Sequence, residues 1–210
     1  MTGSLRVALC AVLALGLSAC VSLFPKAQEA QLYSFTAAAP PAGAAADLAR
    51  VFDVERLPTT FAREADGSQI LTIDGDQAAY IAAARWDAPA SQLFDEAETA
   101  AFDSSSGPAR LLGAGDVAAA TVSLRLDVRT FEARYLAGPK VAPTVFVTVH
   151  ALLVGTVDRK VIAEEVFESQ QAAADNRVGP IVDAFGAATS DVLAHIVDWT
   201  GREGAAAKAS

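Results

Sequence analysis

Three patterns in this chain predict an α+β fold: a single domain in which an antiparallel β-sheet carries two helices on one face. Strand-type alternation runs through residues 70–87 and returns across 121–168. Apolar residues at helical spacing separate the two blocks at 90–102 and close the chain at 178–200. Turn-forming residues divide the strand blocks into hairpin arms. Strands, helix, strands and helix in that order pack as a sheet covered on one side.

The elements follow in order. Leu32 to Phe35 is a plausible first strand, and Ala37 to Ala46 is an Ala/Pro/Gly loop. Asp47 to Leu57 forms a second strand with Val51, Val54 and Leu57 as apolar points, followed by a polar turn from Arg63 to Ser68. Asp74-Gly75 lies between the apolar run 70–73 and the arm Ala78 to Asp87, a strong hairpin signal. On that arm Tyr80, Ala82, Ala84 and Trp86 share one face, and Ile81, Ala83 and Arg85 the other. Pro89 and Ser91 open a helix with Ser91 as N-cap, and Leu93, Phe94, Ala97 and Ala101 keep helical spacing. A polar loop covers 103–108, and a short Gly-broken stretch covers 109–119.

Thr121 to Phe131 alternates, with Val122, Leu124, Leu126 and Val128 on one face and Ser123, Arg125, Asp127 and Arg129 on the other. Such a strand belongs to a half-buried antiparallel sheet. Thr144 to Val154 sets Val145, Val147, Val149, Ala151 and Leu153 on one face. A turn at 155–159 leads into Lys160 to Glu168, whose apolar points are Ile162 and Val166. The last helix carries the stripe Ile181, Phe185, Ala188, Val192, Ile196 and Trp199 and is expected to stop at Gly201.

The amino terminus has a different character. Arg6 precedes Val7 to Leu17, an eleven-residue stretch of apolar residues and one Gly, and small residues then lead into Cys20. That is the order of a secretory signal peptide, and the apolar run is too short to span a bilayer. Leu17-Ser18-Ala19-Cys20 resembles the bacterial lipobox, in which cleavage between Ala19 and Cys20 exposes a cysteine that becomes acylated. Stable anchoring takes more than one acyl chain, at about 0.8 kcal/mol for each buried methylene. The expected organisation is a lipoprotein signal peptide at 1–19, a lipidated tether at 20–30, the α+β domain at 31–201 and a disordered tail at 202–210.

Composition narrows the function. Removing 1–19 takes away one basic residue, Arg6, and no acidic one, so the net charge of −9 becomes −10. Such a surface repels phosphate backbones, so nucleic acid is not an expected partner. It also argues against electrostatic adhesion to anionic lipid, so attachment falls to the acyl chains. The only cysteines are Cys10, which leaves with the signal, and Cys20. Thiolate metal sites, disulfides and cysteine catalysis are therefore excluded from the mature chain.

Several stretches together resemble the ABC-type transport auxiliary lipoprotein family, which includes the paraquat-inducible C-type lipoproteins. They are the lipobox; Leu32-Tyr33; Tyr80 and Arg85-Trp86-Asp87-Ala88-Pro89; Leu126 through Glu132; Val161-Ile162-Ala163 with Phe167; and Ala184-Phe185 through Val197-Asp198-Trp199-Thr200. The resemblance covers nearly the whole mature chain and rests on the order and spacing of these stretches. It implies a non-catalytic accessory subunit of an MCE-domain system that moves phospholipids or other lipids between the two membranes. Its partners would be an MCE-domain protein and an inner-membrane ABC permease and ATPase. It implies no catalytic residues. The alternative is a stand-alone periplasmic lipoprotein that binds a small ligand or scaffolds the envelope.

The remaining motifs have bland readings. Asp74-Gly75-Asp76 lacks the further ligands of a calcium loop. His150 and His195 have no zinc-ligand spacing around them. Ser104-Ser105-Ser106 lacks the Gly-x-Ser-x-Gly elbow, and Gly113-Ala114-Gly115 is not a phosphate loop. No cofactor is expected, and ATP hydrolysis would belong to a partner. Tyr80 and Trp86 on the hairpin arm are candidate partner or lipid contacts, against the reading that the last helix packs on their face and makes both aromatics core. Of the two, Trp86 at the strand end is expected to be the more exposed. Arg125, Asp127 and Arg129, with Arg134, form a polar strand face that is either simply solvated or a contact for a neighbouring subunit, and they complete the candidate set. Repeated use of that face by identical copies would give a homo-oligomer. Val21 after the cysteine, rather than Asp, favours the outer membrane by the enteric sorting rule.

Overall fold

The computed structural model describes residues 29–35, 52–113, 115–116 and 118–209. The signal peptide with Ala19 and Cys20, most of the tether, the 37–46 loop and Val51 lie outside the described residues. Among the described residues, nine strands and two helices occur in the order β1 (Gln31–Tyr33), β2 (Phe52–Arg56), β3 (Thr60–Phe61), β4 (Gln69–Asp74), β5 (Gln77–Trp86), α1 (Ala90–Ser104), β6 (Ala109–Leu111), β7 (Val122–Arg134), β8 (Thr144–Gly155), β9 (Val161–Ala172) and α2 (Val178–Ala209).

The α+β class and the hairpins are as the sequence predicts, but the sheet is mixed rather than antiparallel. β7 is its spine. Along one edge it pairs antiparallel with β8, which pairs antiparallel with the edge strand β9. Along the other edge three short strands lie end to end, all parallel to β7: β2 against Val122–Leu124, β3 against Asp127–Val128, and β4 against Ala133–Arg134. β6 adds parallel to β2, and β1 adds parallel to the end of β5. These parallel neighbours have only two to six residues apiece. Alternation cannot reveal the direction of so short a strand.

Two irregularities decide which side chains face inward. In the β4–β5 hairpin, Leu71 opposes Tyr80 and Gln69 opposes Arg85, so two steps on β4 match five on β5. Ala83 takes the extra length at φ 53°, a left-handed conformation that costs an alanine on the order of 1 kcal/mol. Tyr80 and Arg85 thereby share a face, and Trp86 turns to the opposite one. In β7, Val128 opposes Val149 and Thr130 opposes Thr148, so Arg129 is the extra residue of a bulge. The bulge resets the alternation and brings Phe131 and Ala133 inward.

The core is aromatic at its centre. Trp86 meets Phe35 at 5.0 Å and Phe185 at 5.3 Å between ring centroids, and Phe131 meets Phe185 at 4.8 Å. From β8, Val145, Val147, Val149, Ala151 and Leu153 are all fully buried, as their alternation predicts. All six residues of the α2 stripe are buried, while Asp183, Asp191 and Asp198 stay in water. By length and composition Val178–Ala207 could cross a bilayer. The docked stripe identifies it instead as a core helix.

Three further expectations are corrected. Ser91 is not a cap: the helix N-cap is Pro89, and the Ala90 N–H donates to the Gly67 carbonyl at 3.1 Å. Val166 is exposed, because its opposite number His150 faces outward and Phe167 takes the inward place. α2 does not stop at Gly201, and 202–209 continue it as helix. The glycines there serve close packing. A Cβ on Gly201 would lie 3.1 Å from Pro108 Cδ, and one on Gly204 would lie 2.5 Å from Phe52 Cζ.

Candidate functional site

The polar face of β7 carries the predicted contact residues Arg125, Asp127 and Arg129. Alternation points Arg125 and Asp127 away from the core, and the bulge leaves Arg129 without an opposite residue. Asp127 accepts hydrogen bonds from Thr60 Oγ1 at 2.7 Å and Arg129 Nε at 3.1 Å. The Thr60 hydroxyl, followed by Arg129, holds its carboxyl below the usual aspartate range. Neighbouring strands extend the surface. Leu152 and Glu164 continue the row that starts at Arg125, while His150 and Val166 continue the row of Asp127. His150 Nε2 lies 3.8 Å from Glu164 Oε2. The result is an open face of charged and polar side chains around half-buried Leu152 and His150. It can dock a surface of complementary charge, with the Arg129–Asp127 pair at 3.1 Å as its one short ion pair among the described residues.

Tyr80 and Trp86 do not join this face. Tyr80 is 43% exposed and donates its hydroxyl to the Glu64 carbonyl at 3.0 Å. Trp86 is 2% exposed and belongs to the aromatic core. The expected order of exposure is thus reversed. The cause is the Ala83 irregularity, which no residue-by-residue alternation predicts.

The sequence reading also passed over Glu98. This carboxyl is fully buried on the inner side of α1, and neither oxygen has a hydrogen-bond partner. The nearest cation, Arg56 Nη1, is 3.6 Å away, an ion-pair contact too long for a hydrogen bond. That same guanidinium donates to the Asp95 carbonyl at 3.2 Å. Burial pushes Glu98 up to about 7, against the lowering effect of Arg56. Its signal in the sequence is a charged residue inside the apolar spacing Phe94, Ala97, Ala101. Arg56 also borders an open groove of ≈ 500 Å³ with Glu55, Asp116 and Thr156. Among the described residues, no three His, Cys, Asp or Glu side chains converge on a metal position.

A family model described as the ABC-type transport auxiliary lipoprotein component matches residues 33–197. The chain belongs to this family. Membership makes it a lipoprotein component that serves ABC-type transport, in a family not known as catalytic. Solved structures share the fold. Protein XCC0632 of Xanthomonas campestris, from the DUF330 family, is 21% identical with a TM-score of 0.72, over 86% of this chain and 100% of that one. An uncharacterised protein is 13% identical with a TM-score of 0.63, over 81% and 98%. The hypothetical protein CT253 of Chlamydia trachomatis is 11% identical with a TM-score of 0.50, over 73% and 96%. No curated protein matches the sequence.

Proposed function

We propose that this lipoprotein is the membrane-anchored periplasmic accessory subunit of an MCE-type system that carries phospholipids or other lipids between the two membranes. Its role is non-catalytic: it docks the conduit at the membrane surface or seals it there. Family membership supports the transport part of this reading. The observation that carries the contact role is the filled interior. Trp86, Phe94, Phe131 and Phe185 occupy the space between sheet and helices, so the domain acts through its outer surfaces. Apolar cargo costs about 25 cal/mol for each Å² exposed to water, which makes a continuous shielded path worth sealing. The face around Arg125, Asp127 and Arg129 is the proposed seat of an MCE-domain protein or of a second copy in a closed ring. Cys20 is the proposed anchor, with the outer membrane as its destination.

The test compares deletion of this gene with deletion of a neighbouring MCE gene. Matching membrane-permeability defects, restored by the wild-type chain and not by Cys20→Ser, are expected. Loss of a soluble metabolic reaction with intact membranes would overturn the reading. Cys20→Ser should also abolish lipid labelling, and labelling that persists would remove Cys20 as the anchor. Fractionation with the inner membrane would show that the sorting rule does not apply to Val21.

A further inference from the structure

The loop joining β7 to β8, residues 135–143, combines order with apolar exposure. Two successive turns build it: the Gly138 N–H donates to the Tyr135 carbonyl at 3.4 Å, and the Val141 N–H to the Gly138 carbonyl at 3.1 Å. Gly138 sits at φ 88°, the left-handed conformation that favours glycine. Asn176 clamps the loop from the β9–α2 connection. Its Oδ1 accepts from the Tyr135 hydroxyl at 3.0 Å, and its Nδ2 donates to the Pro139 carbonyl at 2.9 Å. Turns ordinarily carry polar residues. This one presents Leu136 at 70% exposure and Val141 at 49%, with exposed Lys140 between them. No acidic residue occurs in 135–143. Asp74 of the adjacent hairpin lies close enough to act on the Tyr135 hydroxyl, and Asp175, next to the Asn176 clamp, is paired by Arg177 at 2.7 Å.

Topology points the tether to the same end of the sheet. β1 is parallel to β5, β5 is antiparallel to β4, and β4 is parallel to β7. β1 therefore runs against β7, and the chain enters it from the end where β7 leaves. From Cys20 to Glu29 there are nine steps, which reach at most about 32 Å. The sheet along β7 is about 40 Å long. To put the anchor beyond the other end, where the turn carries Val157, the tether would have to double back against β1 and run most of that length.

We propose that the 135–143 loop inserts Leu136 and Val141 into the phospholipid surface that holds the acylated Cys20, with Lys140 reaching the phosphate level. This inference rests on the anchoring reading of Cys20. A loop already ordered by its turns and by Asn176 enters the interface without further loss of conformational freedom. Two apolar side chains are a weak attachment alone, and a lipid tether makes their contact local. The insertion fixes which end of the domain faces the membrane. The opposite end, with Val157, is then turned toward the periplasm and any partner there.

The experiment uses the acylated mature chain, residues 20–210, in phosphatidylcholine vesicles, one set with bromine on the acyl chains. With Cys20 thioether-linked, Leu136→Cys and Val157→Cys each provide one thiol for an environment-sensitive fluorophore, and circular dichroism checks the fold of both. The expected result is a blue shift and loss of emission in brominated vesicles for the label at 136, with neither change at 157. A label at 136 that stays water-like on protein that floats with vesicles would overturn the insertion and leave the anchor standing. A blue shift without bromine quenching would mean that protein covers the loop, and would also overturn it. Protein that fails to float would overturn the anchoring reading and the insertion with it.

Discussion

β8 shows two surfaces made from alternate residues of one strand. Inward, Val145, Val147, Val149, Ala151 and Leu153 are fully buried. Outward, Thr144, Phe146, Thr148, His150 and Leu152 are half-buried, with Arg134 stacked 4.5 Å over the Phe146 ring. The inner set is fixed by volume, because a lost methylene leaves a cavity that the two helices cannot close. The outer set is held only by neighbouring side chains and ion pairs, and solvent-exposed pairs of this kind contribute about 0–1 kcal/mol. Changes on the outer face therefore leave folding almost untouched. That is what allows this face, rather than the inner one, to be shaped for a partner.

The sharpest way to break this contrast is Phe185→Ala. Phe185 is fully buried and touches both Trp86 and Phe131. A loss of about 3–5 kcal/mol is expected from denaturant unfolding, against a typical total of about 5–15 kcal/mol. An unchanged midpoint would mean that the α2 stripe faces something other than the sheet.

Glu98 is the exception that tests the rule that the inside is set by volume. Burial raises its folded carboxyl from the ordinary 4.5 to about 7. Between those values the folded state keeps a proton that the unfolded state has released. Stability attributable to this group therefore falls as pH rises from 4.5 through 7, by up to about 3 kcal/mol. Glu98→Gln should flatten that part of the pH–stability curve. A difference between wild type and Glu98→Gln that stays constant across this range would show that the carboxyl is ionised and well compensated by Arg56. Arg56→Met should raise the Glu98 titration further, which carboxyl-edited NMR would read directly.

How much of this was legible follows the same division. The inner pattern of β8 and the six-residue α2 stripe could be read directly, because burial imposes a strict period. The outward placement of Arg125 and Asp127 came with it. What was not legible depends on one residue being out of step. A single left-handed Ala83 separates Tyr80 from Trp86, so that Trp86 alone joins the core under the last helix while Tyr80 stays exposed. The parallel pairing of β2, β3 and β4 depends on long-range partners, and strands of two to six residues carry no directional signal. Gly201 looked like a stop because a glycine after an apolar stripe usually is one. Only the approach of Pro108 to Gly201, and of Phe52 to Gly204, shows that these glycines serve close packing.

Gly204→Val sharpens that last point. The added Cβ would meet the Phe52 ring at 2.5 Å. Overpacking of this kind costs about 1–3 kcal/mol, and Phe52→Ala in the same chain should recover part of the clash. If 202–209 were instead an undocked tail, Gly204→Val would be silent in thermal unfolding.

The smallest effect on folding is expected from reversing charge on the outer face, and its value lies in being small. Arg125→Glu with Arg129→Glu removes the Arg129 partner of Asp127 but leaves the shorter Thr60 bond in place. Surface substitutions of this kind usually change stability by less than about 0.5 kcal/mol. If the face binds a partner, like charges brought against it cost far more than they do in water. The double variant should then melt with the wild type yet fail to co-purify with its membrane partners and fail to restore permeability in the deletion strain. Normal restoration would remove this face as the contact and leave the end carrying Val157 as the next surface to change. A large loss of stability would show instead that the charge pattern is structural, and that the two faces of the sheet are less separable than their burial implies.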